Sequence, residues 1–321
     1  MKVIAAVLVA IIACFAIFFA LGDNDPKPTK VNVNAAEKMQ KMVIGLSNYA
    51  KKLKPGFLVI PQNGIELAYK KADPKFGLNQ KYLDAIDGFG VEELFYFETL
   101  AIDTFRLEAI RRIPGKKFLV SDFVTDDGNV QDAKDRNLKE GFIPFVRSKS
   151  NYHYQIVPDK IIDKNSDDVT EMNQVKNYLY LINPSEFDTK DDYVNAIANT
   201  DYDLVTVDLF FDKYNPMTRP DVQRLKKKAN GGKRLVICYM NIGAAENWRY
   251  YWRPDWKLGD PAWLKKAYEG YDNEIYVEYW NPGWQKIIFG NDDSYLKKII
   301  DAGFDGCYLD NTEAYYELYR N

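Results

Sequence analysis

The sequence predicts an α/β fold, a (β/α)8 barrel, and three observations lead there. Short apolar runs rich in β-branched and aromatic residues alternate with longer segments of helical spacing. Several of those runs end in a carboxylate or an asparagine, where a barrel of this kind keeps its chemistry. The stretch from residue 36 to 321 has the ordinary length for this architecture. A doubly wound sheet is the alternative, but no GxGxxG or GxxxxGKS/T turn follows a strand.

The amino end opens with Lys2 and a purely apolar run, Val3 to Leu21, followed by the polar stretch Gly22 to Lys30. This is an export segment. It approaches the length of a membrane span, while Ala20-Leu21-Gly22 offers a small-residue cleavage site, so it fits an anchor or a cleaved signal peptide equally. The expected organisation is therefore 1–22 for export, 23–35 as a linker, and 36–321 as one barrel domain outside the cytoplasm. A monomer is expected, touching membrane only through its first segment.

The strand candidates follow in order. They are FLVIPQN (57–63), LFYFE (94–98), KFLVSD (117–122), FIPFV (142–146), YLYLI (178–182), LVTVDL (204–209), RLVICYM (234–240), IYVEYW (275–280) and GCYLD (306–310). That is one more than eight, and FIPFV or YLYLI is taken as the surplus. Helices are expected over Ala35–Lys54, Thr104–Arg112, Asp188–Asn199, Arg219–Asn230 and Pro282–Ala302. Asn230-Gly231-Gly232 and Gly303 supply stop signals just before strands.

Composition narrows the chemistry. A net charge of -3 provides no basic field for a nucleic-acid backbone, so no nucleic-acid partner is expected. His153 is the only histidine, which removes Ser/His/Asp triads and histidine-rich metal centres, and no cofactor or metal is expected. Cys14 lies in the export segment, and Cys238 and Cys307 sit in apolar strands as small core residues. Acid and base work falls to Asp, Glu, Tyr or Lys.

The strand ends supply candidates: Asn63, Glu98, Asp122, Asp208, Asn241 with Glu246, Glu278 and Asp310. A single buried strand ending in an acid is usually a loop cap or a salt bridge, but recurrence points to a shared acidic cleft. Acids without His, Cys or a metal suit glycosidic cleavage, in which one carboxylic acid protonates the leaving oxygen and another carboxylate acts as nucleophile or base. All six tryptophans, Trp248, Trp252, Trp256, Trp263, Trp280 and Trp284, fall in one segment interleaved with tyrosines. They suit a wall on which sugar rings stack, with a packed aromatic lid as the alternative.

The segments NGGKRLVICYMNIGAAENWRYYW (230–252) and AGFDGCYLDNTEAY (302–315) resemble glycoside hydrolase family 114, the endo-α-1,4-polygalactosaminidases. They look closer still to a bacterial and archaeal branch once labelled as related to cysteinyl-tRNA synthetase. That label has no support here, since the chain carries neither a HIGH nor a KMSKS signature. The family's strand ending in tyrosine and its G-x-x-E-x-W-R turn are matched by Tyr239, Gly243, Glu246, Trp248 and Arg249, with Asn241 where the family has serine. Its D-N-x-D motif is matched by Asp310, Asn311 and Glu313, the last replacing aspartate. The family's remaining strands, ending in a K-N pair, a glutamate and an acid, correspond to those of Asn63, Glu98 and Asp122 at the front of this chain. The resemblance thus implies a circularly permuted barrel, Asp310 and Glu98 as catalytic carboxylates, and an endo-acting glycosidase on a galactosamine-containing polysaccharide. The competing reading is a non-catalytic carbohydrate-binding barrel serving polysaccharide synthesis or display. The two separate on whether both carboxylates enter one cleft.

Overall fold

The computed structural model describes residues 32–319, so the apolar run Val3–Leu21 and Cys14 lie outside the described residues. No helix among the described residues is long and apolar enough to cross a membrane. Helix α1 (Val33–Leu53) opens on Asn32, whose side chain accepts the Ala35 N–H, and buries one stripe containing Met39, Met42, Val43, Leu46 and Ala50. Its far end is fixed by Lys54, whose Nζ donates to the Phe304 carbonyl at 2.5 Å.

The parallel strands are β1 (Leu58–Pro61), β2 (Gly88–Leu100), β3 (Lys117–Val124), β4 (Ile143–Arg147), β5 (Tyr178–Tyr180), β6 (Leu204–Asp208), β7 (Leu235–Asn241) and β8 (Gly306–Asp310). They form a five-stranded sheet ordered β1-β8-β7-β6-β5 and a three-stranded sheet ordered β2-β3-β4. The first strand pairs in parallel with GCYLD: Leu58 lies opposite Gly306 and Pro61 opposite Leu309. Between the sheets, Gln62 bridges Gly90 in parallel sense, and the Asn63 N–H donates to the Gly90 carbonyl at 2.8 Å. On the other side the Phe145 ring of β4 lies 5.6 Å from the Tyr178 ring of β5.

Tyrosines pack against one another between the strands. Tyr180 and Tyr308 rings lie 5.1 Å apart, and the Tyr180 hydroxyl donates to Gln62 Oε1 at 3.0 Å. Gly90 makes this packing possible, because a Cβ there would sit 1.8 Å from the Tyr308 hydroxyl. Cys238 and Cys307 face each other across β7 and β8 as free, buried thiols, in keeping with their reading as core residues.

FIPFV and YLYLI both belong to the parallel sheets, and the strand outside them is IYVEYW. Residues Glu274–Val277 run antiparallel between Ala244–Glu246 and Leu264–Ala267. The reason is local: only a short turn through Gly270 joins 264–267 to 274–277, and a parallel partner would need a long crossover. The helix expected over Pro282–Ala302 is two, α2 (Pro282–Ile288) and α3 (Tyr295–Ala302), separated at Gly290, whose φ is 100°. The helix expected from Arg219 ends early, at Leu225.

Candidate functional site

A pocket opens at the carboxyl ends of β1 and β8, beside Glu92 of β2. Its lining is Gln62, Asn63, Glu92, Asp310, Asn311 and Glu313, with Tyr268, Tyr271 and Glu274 contributed by the antiparallel segment. Four of these side chains are carboxylic acids and none is basic, so the concavity carries a concentrated acidic character.

Asp310 is the last residue of β8. Its Oδ2 accepts the Tyr239 hydroxyl at 2.6 Å, and its Oδ1 accepts the Asn311 N–H at 2.6 Å. Burial pushes the carboxyl up to about 7; the Tyr239 hydrogen bond opposes that shift and the charge of Glu92 adds to it. Asn311 turns the chain sharply at φ 57°, and the turn after β7 packs directly on its carbonyl. A Cβ at Gly243 would sit 2.0 Å from that oxygen, so glycine is required where Tyr239 and Asp310 meet.

The carboxylate that β2 brings to the pocket is Glu92, and the structure does not place Glu98 there. Glu92 is buried, its N–H donates to Asn63 Oδ1 at 2.9 Å, and its carboxylate accepts the Tyr154 hydroxyl. Arg147 stands 3.9 Å from Glu92 and pairs with Glu93 at 2.8 Å. Beyond Glu92 the register breaks: Glu92 faces Ser121, but the next paired residue is Phe97, opposite Phe123. Asp122 fills this bulge, accepting the N–H groups of Phe95 at 2.9 Å and Tyr96 at 3.1 Å and the Asn137 amide at 2.6 Å. Asp122 is thereby wholly buried and occupied by the backbone, while Glu98, past the bulge, is exposed at φ 61°.

Asp208 and Glu246 flank the pocket without lining it, and Arg249 ties them together. Its Nη1 reaches Asp208 at 2.7 Å and the Tyr295 hydroxyl at 2.8 Å, and its Nε reaches Glu246 at 2.7 Å. The guanidinium is fully buried and lies 3.8 Å from the Trp248 ring centre. Burial pushes the Glu246 carboxyl up, and Arg249 opposes that push. Asn241 accepts the N–H groups of Gly243 and Ala244, which aims its amide at Glu274 Oε2, 3.4 Å away. Burial pushes Glu274 well above the usual carboxylate range, with the charges of Glu246 and Asp310 adding to it. Glu313 is pushed up to about 8 by burial, against the opposing charge of Arg106.

Glu278 lies outside the pocket, 3.6 Å from Lys265, because the antiparallel strand Glu274–Val277 meets the pocket at its first residue and Glu278 follows its last. Four of the six tryptophans pack on one another, while Trp248 stacks on Arg249 and Trp280 packs against Tyr279 and Lys38. Trp256 lies edge-on to Trp252 at 5.5 Å and to Trp263 at 4.9 Å, and Trp263 is 5.2 Å from Trp284. The packed-lid alternative describes them better, and the aromatic wall of the pocket is Tyr268 and Tyr271. Sequence reasoning missed Glu92, Glu274 and Gln62, while the two tyrosines belong to the aromatic segment it singled out. The start of the apolar run at Phe89, a strand's length before Glu92, was the available signal for the first.

A family model described as Glycoside-hydrolase family GH114 matches residues 164–321. The chain is also similar to uncharacterized proteins of Deinococcus radiodurans (37% identity, 38% of this chain and 37% of that protein), Methanocaldococcus jannaschii (31%, 47% and 42%) and Thermotoga maritima (30%, 37% and 35%). It thus spans about two fifths of the length of the curated relatives it matches.

Proposed function

The chain belongs to glycoside-hydrolase family GH114 through residues 164–321, and on that premise we propose that it is an extracytoplasmic glycosidase cleaving within a galactosamine-containing polysaccharide. The observation that carries this reading is Asp310, a strand-end carboxyl held near neutrality in its proton affinity and sharing a pocket with Glu92. In the proposed reaction Asp310 protonates the glycosidic oxygen as the bond to the anomeric carbon breaks, and Glu92 acts as nucleophile or as base towards water. Glu92 replaces Glu98 in this role because Glu98 is exposed and outside the pocket.

Tyr239 holds Asp310 in place, Asn63 holds Glu92, and the Asp208–Arg249–Glu246 network braces the turn that carries Asn241. The pocket carboxyls support a substrate bearing ammonium groups, whose positive charge would favour the ionised forms of Glu274 and Glu313. We read the parallel sheets as one (β/α)8 barrel closed through Gln62–Gly90 and through Phe145–Tyr178, with its front strands permuted relative to the family. In this reading the chain works as a monomer.

The test is product analysis after incubating the chain with a panel of amino-sugar polymers. New reducing ends in oligomeric products are expected. The anomer released first then reports retention or inversion, for which carboxyl separations of about 5–5.5 Å and about 6.5–9.5 Å respectively are required. Intact polymers across the panel would sink the proposal.

A further inference from the structure

Helix α1 fixes where the first residues of the chain leave the fold. At its start, the Tyr279 hydroxyl donates to the Ala35 carbonyl at 2.7 Å and Lys38 lies 3.9 Å from the Trp280 ring centre. Both aromatics follow directly on the strand that brings Glu274 to the pocket. One turn on, Gln40 donates at 2.8 Å to the carbonyls of Leu67 and Tyr69, in the loop that follows β1 and Asn63. The other end of α1 reaches Phe304 and Asp305, which precede β8. The helix therefore runs from the pocket end of the strands to the opposite end, and the preceding chain departs from the pocket end.

What precedes it is the apolar run Val3–Leu21 and then residues 22–31, a polar stretch. A chain of that length reaches about 35 Å even when fully extended, at about 3.3–3.6 Å per residue. Large exposed apolar side chains gather at the same end. Phe76, Phe105, Tyr214, Leu258 and Tyr319 each lie on a segment following the carboxyl end of a parallel strand, and Leu100 ends β2; each is more than a third exposed, whereas Leu53 and Leu138 are the exposed large apolar residues of the opposite end. Single exposed apolar residues need no explanation, but their concentration on the end that also bears the tether does.

We propose that the pocket end of the fold faces a lipid bilayer, held there by Val3–Leu21 acting as a membrane anchor. The apolar loop tips are the surface that meets the bilayer, and the pocket opens towards material at the membrane surface. The inference rests on the glycosidase reading only for what the pocket acts on there. It makes the polysaccharide a membrane-proximal one, reached as it emerges or while still attached.

The experiment uses the full chain carrying Cys14→Ser, reconstituted into vesicles of phosphatidylethanolamine and phosphatidylglycerol. A fluorophore is placed at Leu100→Cys or Tyr214→Cys at the pocket end, or at Leu138→Cys at the opposite end; Cys238 and Cys307 are buried and stay unlabelled. Lipids bearing a headgroup nitroxide should quench the two pocket-end labels several-fold more strongly than the Leu138→Cys label. Equal quenching at both ends, stronger quenching at Leu138→Cys, or release of the chain from vesicles in high salt would each overturn the proposal. So would a cell-derived protein that begins after Gly22. Quenching needs no turnover, so failure of the hydrolysis assay leaves this result standing, and the reverse holds too.

Discussion

Replacing Arg249 by methionine tests whether the pocket rests on a buried ion network. The guanidinium is fully buried and lies within 2.7 Å of both Asp208 and Glu246, while those carboxylates are almost as inaccessible. Methionine keeps much of the apolar stem but loses the guanidinium stacked on Trp248 and leaves two buried acids without their cation. Removing one partner of a buried pair costs about 3–5 kcal/mol, most of it the desolvation of the charge left behind. With a urea dependence near 3 kcal/mol per molar, the unfolding midpoint should fall by about 1 to 2 M at neutral pH.

The sign with pH is fixed. Without Arg249 nothing opposes the upward push of burial on the Glu246 carboxyl, so its folded-state affinity for protons rises further above the unfolded value. The loss should therefore be largest above the folded pKa and fade as pH falls through the unfolded carboxylate range, near 4. Urea denaturation followed by tryptophan fluorescence at pH 5 and pH 8 reads both effects. A variant with the wild-type midpoint at pH 8, or one more damaged at pH 5, would refute the reasoning.

Two further outcomes follow from the same geometry. Asp122→Ala strips two backbone N–H groups and the Asn137 amide of their acceptor, so it should cost roughly 2–4 kcal/mol and loosen the bulge. Hydrogen exchange at Phe95 and Tyr96 should then quicken well before global unfolding, and unchanged exchange there would count against the role given to Asp122. Tyr239→Phe removes the hydrogen bond that opposes the upward shift of Asp310. The alkaline limb of the kcat profile, set by loss of the Asp310 proton near pH 7, should move to higher pH; a limb that stays put or moves down contradicts Asp310 as the acid.

The sequence was informative wherever an apolar run ended where its strand ended. Asp310 and Asn241 follow that rule, since GCYLD and LVICYMN each end with their strand, and Asn63 lies two residues past the end of β1 at Pro61. It misled where a strand continues past the rim. β2 extends to Leu100 through a bulge pinned by Asp122, a side chain from the neighbouring strand, so the acid at the pocket is the earlier Glu92. Nothing within residues 88–100 encodes a hydrogen bond to another strand. IYVEYW misled for a related reason: its composition suits any strand, and its antiparallel partners are decided by the turn at Gly270, not by the run itself. The tryptophans show the limit of composition, because clustering along the chain gave no account of whether rings face solvent or each other.

The most direct test of the central claim is the rate of reducing-end release from a galactosamine oligomer by the wild-type chain, Asp310→Asn and Glu92→Gln, each confirmed folded by circular dichroism. Each substitution keeps the shape of the side chain and removes its ionisation. The account predicts a loss of about 10²-fold or more in kcat for both variants, with Glu98→Gln retaining the wild-type rate; an Asp310→Asn or Glu92→Gln chain that turns over like the wild type would contradict it.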